Sequence, residues 1–186
     1  LKDIVNIRGV RENQLIGYGL VVGLAGTGDG KVEFTAKSMG RMLETMGVKL
    51  NNKDVVSKNV AAVIVTATLP PFARAGNKID ITLNAIGDAS SLVGGTLVQT
   101  PLRAANGDVY AVAQGQSLVG TGEGAAHLTV GRIPSGAMIE KDVEAEFAAR
   151  RMFRLTLTNP DFTTAVRMTK TLNQDLGGKY ATATDS

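Results

Sequence analysis

Residues 15–24 read LIGYGLVVGL, and this run decides the fold class. It is apolar, rich in Gly and Val, and bounded by polar residues, so it reads as a buried strand whose glycines lie close to a neighbouring backbone. The loop Gly26-Thr27-Gly28-Asp29-Gly30 follows it. Beyond the loop, Met39, Met42, Leu43 and Met46 recur at i, i+3, i+4 and i+7, with Lys37, Arg41 and Glu44 off that stripe and Gly47 at the C-terminal cap position. The spacing predicts a helix over about 35–47, its methionines turned to the core, with Gly40 costing about 1 kcal/mol against Ala.

Outward from there the chain alternates short strands and turns. NVAAVIVTAT at 59–68 is β-branched and stops at Pro70-Pro71; KIDITL at 78–83 alternates polar and apolar. Gly94-Gly95 leads into a strand at 96–100, and Asn106-Gly107 is a hairpin signal before a strand at 108–113. Further strands fit 127–133, 137–143 and 152–158. Asn159 as cap, Pro160 at the first helical position and Asp161 in the first turn open a helix over about 160–176. Its apolar stripe is Phe162, Ala165, Val166, Leu172 and Leu176, and Gly177-Gly178 ends it. Two principal helices among short Gly-rich strands make an α+β fold with mixed or antiparallel sheets. At 186 residues the chain is expected to form one domain, or two sub-domains with a boundary near 120–136.

Composition narrows the function classes. A hydrophobic fraction of 44% with 20% charged residues describes a folded protein rather than a disordered one. The net charge of +3 is weak and dispersed, unlike the Lys/Arg stripe of a nucleic-acid binder, and the lack of Trp disfavours base stacking. There is no Cys, hence no thiolate nucleophile, disulfide or Cys-based metal site; the single histidine, His127, leaves no two-histidine metal site within one chain. No apolar run reaches the ~20 residues of a spanning helix. The chain opens on Leu1 rather than Met, so an upstream segment such as a signal peptide is expected.

The tempting motif is AGTGDGKV at 25–32, between a strand and a helix. A phosphate-binding loop needs G-x-x-x-x-G-K-[ST], because its amides cradle phosphate and its last hydroxyl holds magnesium. Ala25 and Val32 stand at two of those positions, and valine cannot ligate a metal. The stretch is therefore expected to be an ordinary flexible Gly-rich loop. Gly17-Tyr18-Gly19 lacks the third glycine of a dinucleotide fingerprint. His127 has no nucleophile elbow beside it. The residues describe a non-enzymatic domain with no cofactor.

Longer strings carry more. VRENQLIGYGLVVGL at 10–24 with GTGD at 26–29, FTAKSM at 34–39, KNVAAV at 58–63, LPPF at 69–72, GGTL at 94–97, TPL at 100–102, VYA with AQG at 109–115, and VGRIP at 130–134 stand in register. Together they resemble the N-terminal half of the mature bacterial flagellar P-ring family, over the whole of this chain. Two departures stand out: the loop at 120–126 is short where that family carries a longer Gly/Ser-rich stretch, and DASSLV at 88–93 lacks its basic residues.

The resemblance implies a periplasmic structural protein of the flagellar basal body, exported with a cleaved signal peptide. Copies would form a closed, peptidoglycan-associated homo-oligomeric ring that joins the L-ring protein and surrounds the distal rod as a bushing. A periplasmic assembly chaperone is an implied partner; nucleic acid, a metal, a cofactor and a membrane span are not. In such a role a mild positive charge would centre an acidic rod by its long-range field. The candidate rod-facing residues are Lys58, Arg74, Lys78 and Arg103, with Lys58 foremost because it lies in a matching string. The competing readings are a nucleotide-dependent enzyme using the 25–32 loop and a monomeric periplasmic binding module.

Overall fold

The computed structural model describes residues 4–7, 10–30, 32–48, 58–120, 127–143 and 152–184. The chain divides into two compact units: Glu12–Glu144, and Leu1–Arg11 with Ala145–Ser186. The boundary expected near 120–136 overlaps a strand bonded within the larger unit; the units part instead at 11/12 and 144/145. The shortened loop at 120–126 lies, apart from Gly120, outside the described residues.

The larger unit is a closed barrel of six strands. In chain order these are β2 (Asn13–Val22), β3 (Val60–Leu69), β4 (Lys78–Ala85), β5 (Thr96–Arg103), β6 (Val109–Gln116) and β7 (Val130–Ile139), following a short β1 (Val5–Ile7) in the smaller unit. Around the barrel they run β2-β3-β4-β7-β6-β5, every pair antiparallel. Inward positions supply an aliphatic core that includes Leu15, Val21, Val63, Val65, Leu83, Leu97, Leu102 and Ile139. The α+β class expected from the sequence holds, but β4, β5 and β6 run longer than expected and the six strands close on themselves.

Closure happens where β2 meets β5. Gly17 faces that seam: a Cβ there would lie 2.6 Å from the Pro101 carbonyl oxygen and 2.7 Å from a Leu102 methyl. The register slips between Ile16↔Arg103 and Val21↔Leu97, as a bulged junction does. The glycines of the apolar run thus let β5 approach β2 closely enough to close the barrel.

Helix α1 (Glu33–Thr45) lies outside β2 and β3. Met39 and Met42 pack on Leu20, Val60 and Ala62, so β3 is apolar on both faces where the helix covers it. Met46 departs from the expected core stripe: it lies just past the helix and is 66% exposed. The end is a Schellman turn, Gly47 at φ +85° with Gly47 N–H donating to the Glu44 carbonyl and Val48 N–H to that of Leu43.

Two strands expected at 127–133 and 137–143 are one, β7, carrying a bulge at 134–136. Ile79 pairs with Ala137 and Ile81 with Ile133, so three residues of β7 stand opposite Asp80 alone. Pro134 has no N–H to give the ladder, and Ser135 takes φ +53°. Asp80 replaces the missing ladder bond, accepting Ser135 N–H at 2.8 Å and Arg132 Nη2 at 2.6 Å.

In the smaller unit, β1 pairs with β8 (Leu155–Leu157), three residues each, followed by α2 (Phe162–Asp175). The helix is capped by Asp161 rather than Asn159. The Asp161 carboxylate accepts Thr163 N–H at 3.2 Å and Thr164 N–H at 2.8 Å, and Pro160 precedes the cap, where no N–H is needed. Ala165 is its buried residue, whereas Phe162, Val166 and Leu176 of the expected stripe are exposed.

Two outcomes follow. Gly17→Ala should lower unfolding stability by about 1–3 kcal/mol, because the added methyl meets backbone; a urea midpoint equal to that of the parent chain would refute the close approach. The Ser135 amide first, and the Arg132 guanidinium second, hold the Asp80 carboxyl below its ordinary 3.8. Because its folded pKa is depressed, the stabilisation is fully present above that ordinary value and lost as pH falls through the lower folded one. A carboxyl-carbon NMR titration of Asp80 should therefore find its midpoint below 3.8, and a midpoint at or above it would remove Asp80 from the bulge.

Candidate functional site

The ladder registers fix which loops share each end of the barrel. Val22, Val60, Ala85, Thr96, Gln116 and Val130 mark one end; Asn13, Leu69, Lys78, Arg103, Val109 and Ile139 mark the other. Lys58 precedes β3 at the first end. Arg74, in the loop before β4, and Lys78 and Arg103 belong to the second. The structure therefore brings three of the four basic candidates together and separates Lys58 from them by the length of β3, roughly 30 Å at ~3.3 Å per residue.

The end holding Arg74, Lys78 and Arg103 has mixed charge. Arg103 Nη1 donates to the Gly107 carbonyl at 2.8 Å across its hairpin. Lys141 is bonded to Asp108 at 2.7 Å and sits 5.3 Å from the centre of the Tyr110 ring. Asp142 accepts the Ala75 N–H at 2.6 Å. Its cations are thus interleaved with carboxylates.

The Lys58 end is built around a carboxylate that sequence reasoning missed. Asp29 is 4% exposed. Its Oδ2 accepts Thr35 Oγ1 of α1 at 2.6 Å and Ala62 N–H of β3 at 2.8 Å, and its Oδ1 accepts Ala89 N–H at 2.9 Å. One side chain thereby ties the 25–30 loop to a helix, a strand and the 86–95 loop. Thr27 adds to the tie: its hydroxyl lies 2.7 Å from the Leu24 carbonyl oxygen and 2.9 Å from that of Ser91 and shares its one proton between them, and its own carbonyl accepts Ser90 N–H. The signal for such a role was an acid between glycines, where backbone can crowd round it. A Cβ at Gly28 would fall 2.5 Å from the Val60 carbonyl oxygen and 2.7 Å from that of Lys58.

The 25–30 loop is not the flexible segment expected. Its amides at 26–30 are all taken: Gly26 by Asn59 Oδ1, Thr27 by Leu24, Gly28 by the Lys58 carbonyl, Asp29 by Val60, and Gly30 by Asp88 Oδ1. A phosphate cradle needs free, convergent amides, and this loop has spent them on itself. The bond from Gly28 N–H to the Lys58 carbonyl, 2.6 Å long, also fixes the backbone that carries the Lys58 ammonium. Around it the exposed residues of the 23–30 and 86–95 loops are mostly small: Gly23, Ala25, Gly26, Ser90 and Gly94, with Ile86, Val93 and the carboxylate Asp88, whose Oδ2 and the Lys58 Cε lie 3.2 Å and 3.9 Å from the position a Gly30 Cβ would take. Among the described residues, no group of three or more His, Asp or Glu side chains is placed to hold a metal, and no helix is long and apolar enough to cross a membrane.

Asp29→Ala would leave two buried amides and a hydroxyl without their acceptor, at a loss of about 3 kcal/mol or more. Asp29→Asn, which keeps one oxygen, should fall between that variant and the parent. Denaturant unfolding followed by circular dichroism checks both; an Asp29→Ala chain within about 0.5 kcal/mol of the parent would deny the carboxylate its structural weight.

Comparison with known proteins agrees with this architecture's sequence signals. A family model described as flagellar P-ring protein matches residues 1–186. The flagellar P-ring protein of Bdellovibrio bacteriovorus is 66% identical over 186 residues, all of this chain and 56% of its own length. Flagellar P-ring protein 2 of Cereibacter sphaeroides is 53% identical over 196 residues, and that of Aquifex aeolicus 50% over 197, each spanning all of this chain and 54% of the relative. The chain spans about half the length of these relatives. With a match over its entire length, the chain belongs to the flagellar P-ring protein family.

Proposed function

We propose that this chain is part of a structural, non-enzymatic subunit of the periplasmic P ring, and that the Lys58 end of its barrel faces the rotating distal rod. Family membership over the whole chain carries the first half of this reading. The packing of the Lys58 end supports the second. A bearing surface should be stiff and offer a rotor little to grip. Here the loops are cross-tied through Asp29 and Thr27, and their exposed residues are mostly small.

The Lys58 ammonium, carried on fixed backbone, can attract an acidic rotor at long range without docking deeply into it. Arg74, Lys78 and Arg103 sit at the far end of the barrel, so on this reading they serve another surface. Copies associate head to tail into a closed ring, held by peptidoglycan and the L-ring protein and helped by a periplasmic chaperone.

Reversing one charge at each end tests the assignment. Lys58→Glu in the full-length protein should abolish P-ring assembly and swimming at an unchanged periplasmic protein level, because like charges repel across the rod contact. Lys58→Arg should retain both, and Lys78→Glu should swim normally. The opposite pattern would move the rod contact to the other end of the barrel. Normal swimming in both reversals would remove basic centring from the mechanism.

A further inference from the structure

We propose that the smaller unit is an incomplete module whose apolar face is covered by the part of the family's chain that lies outside the matched span. The inference rests on family membership and not on the rod-facing assignment. Among its described residues only Leu157 and Ala165 are buried hydrophobics, whereas the barrel buries a continuous aliphatic core. Its sheet is one pair of three-residue strands, and a two-stranded pair is marginal in water unless more strands or a packed helix support it.

Its helix is half used. On α2, Ala165 is buried and Met168 and Leu172 are half-buried, which accounts for one side. About a quarter-turn round, Phe162 and Val166, 60% and 45% exposed, share an uncharged stripe with Thr169 and Asn173, and Leu176 at the C-cap, 59% exposed, ends it. Leu155 and Ile7, paired across the sheet, are exposed as well. A row of large apolar side chains beside so small a core marks a surface meant to be covered.

The occupant follows from the relatives' lengths. Nearly half of each relative lies outside the matched region. A segment of the same chain reaches the face at high effective concentration, and it brings the strands and apolar area that the two-stranded pair lacks.

The chain contains no cysteine, so introduced thiols report cleanly. Phe162→Cys, Leu176→Cys and, as a barrel control, Ile16→Cys would be made in the 186-residue chain. They would also be made in that chain extended by the part of the Bdellovibrio bacteriovorus relative outside the matched span, with any cysteine there replaced by serine. Maleimide labelling at sites 162 and 176 should slow at least about tenfold on extension while site 16 keeps its rate, as local burial requires. Equal slowing at all three sites, or none, overturns the proposal. Slow labelling at 162 and 176 already in the 186-residue chain, with a doubled mass, would give the face to a second copy and overturn it too. Hydrogen exchange of the 186-residue chain is a test that needs no extension. Amides of 155–157 and of α2 should exchange at least about a hundredfold faster than those of β3, and protection equal to that of β3 would refute an incomplete module.

Discussion

Everything in the larger unit depends on the barrel closing, and closure depends on how near β5 can come to β2. The Pro101 carbonyl occupies the volume that a side chain at Gly17 would need. With a larger residue there, the two strands would stand further apart and their register could not step from Ile16↔Arg103 to Val21↔Leu97. The inward aliphatic residues would then face an open edge instead of one another. A glycine in a strand interior usually weakens it by about 0.5–1 kcal/mol; here that cost is offset by a ladder without ends.

Closure alone leaves the ends of the barrel open, and the two ends are finished differently. One is finished by a buried carboxylate. Asp29 gathers donors from a helix, a strand and a loop, and all three donate to its buried carboxylate. The chemistry resembles an anion site turned inside out: the protein supplies its own anion, and the glycine-flanked loop wraps it. That explains how a segment so close to a phosphate-binding pattern serves architecture instead. At the other end, exposed pairs such as Lys141–Asp108 do the tying, and screened surface pairs of this kind contribute little to folding.

Much of this was legible beforehand. The apolar runs at 15–24 and 59–68 gave β2 and β3, and the methionine spacing with Gly47 gave α1 and its Schellman turn. Closure was not legible, since it depends on which strands become neighbours after the chain has turned five times. From sequence β7 reads as two strands, 127–133 and 137–143, because a bulge and a strand end look alike until the partner strand is known; the acceptor that rescues the bulge, Asp80, lies over fifty residues away. The cap of α2 went to Asp161 because its carboxylate reaches two amides. At the site, the role implied by the resemblance put forward four basic residues, but only the ladder register separates Lys58 from Arg74, Lys78 and Arg103. Asp29 stayed hidden because burial of a carboxylate is decided by its donors, and these come from residues 35, 62 and 89.

The closed ladder has a mechanical consequence. A sheet with ends fails under load by peeling, one terminal strand leaving at a time, because that strand is held along one side only. In this barrel each of the six strands is held on both sides. A tangential pull on any one of them is passed to two neighbours and round the circumference, so no strand can leave before two ladders shear. On the proposed reading, in which the barrel stands beside a turning shaft, wear would begin in the loops rather than in the sheet.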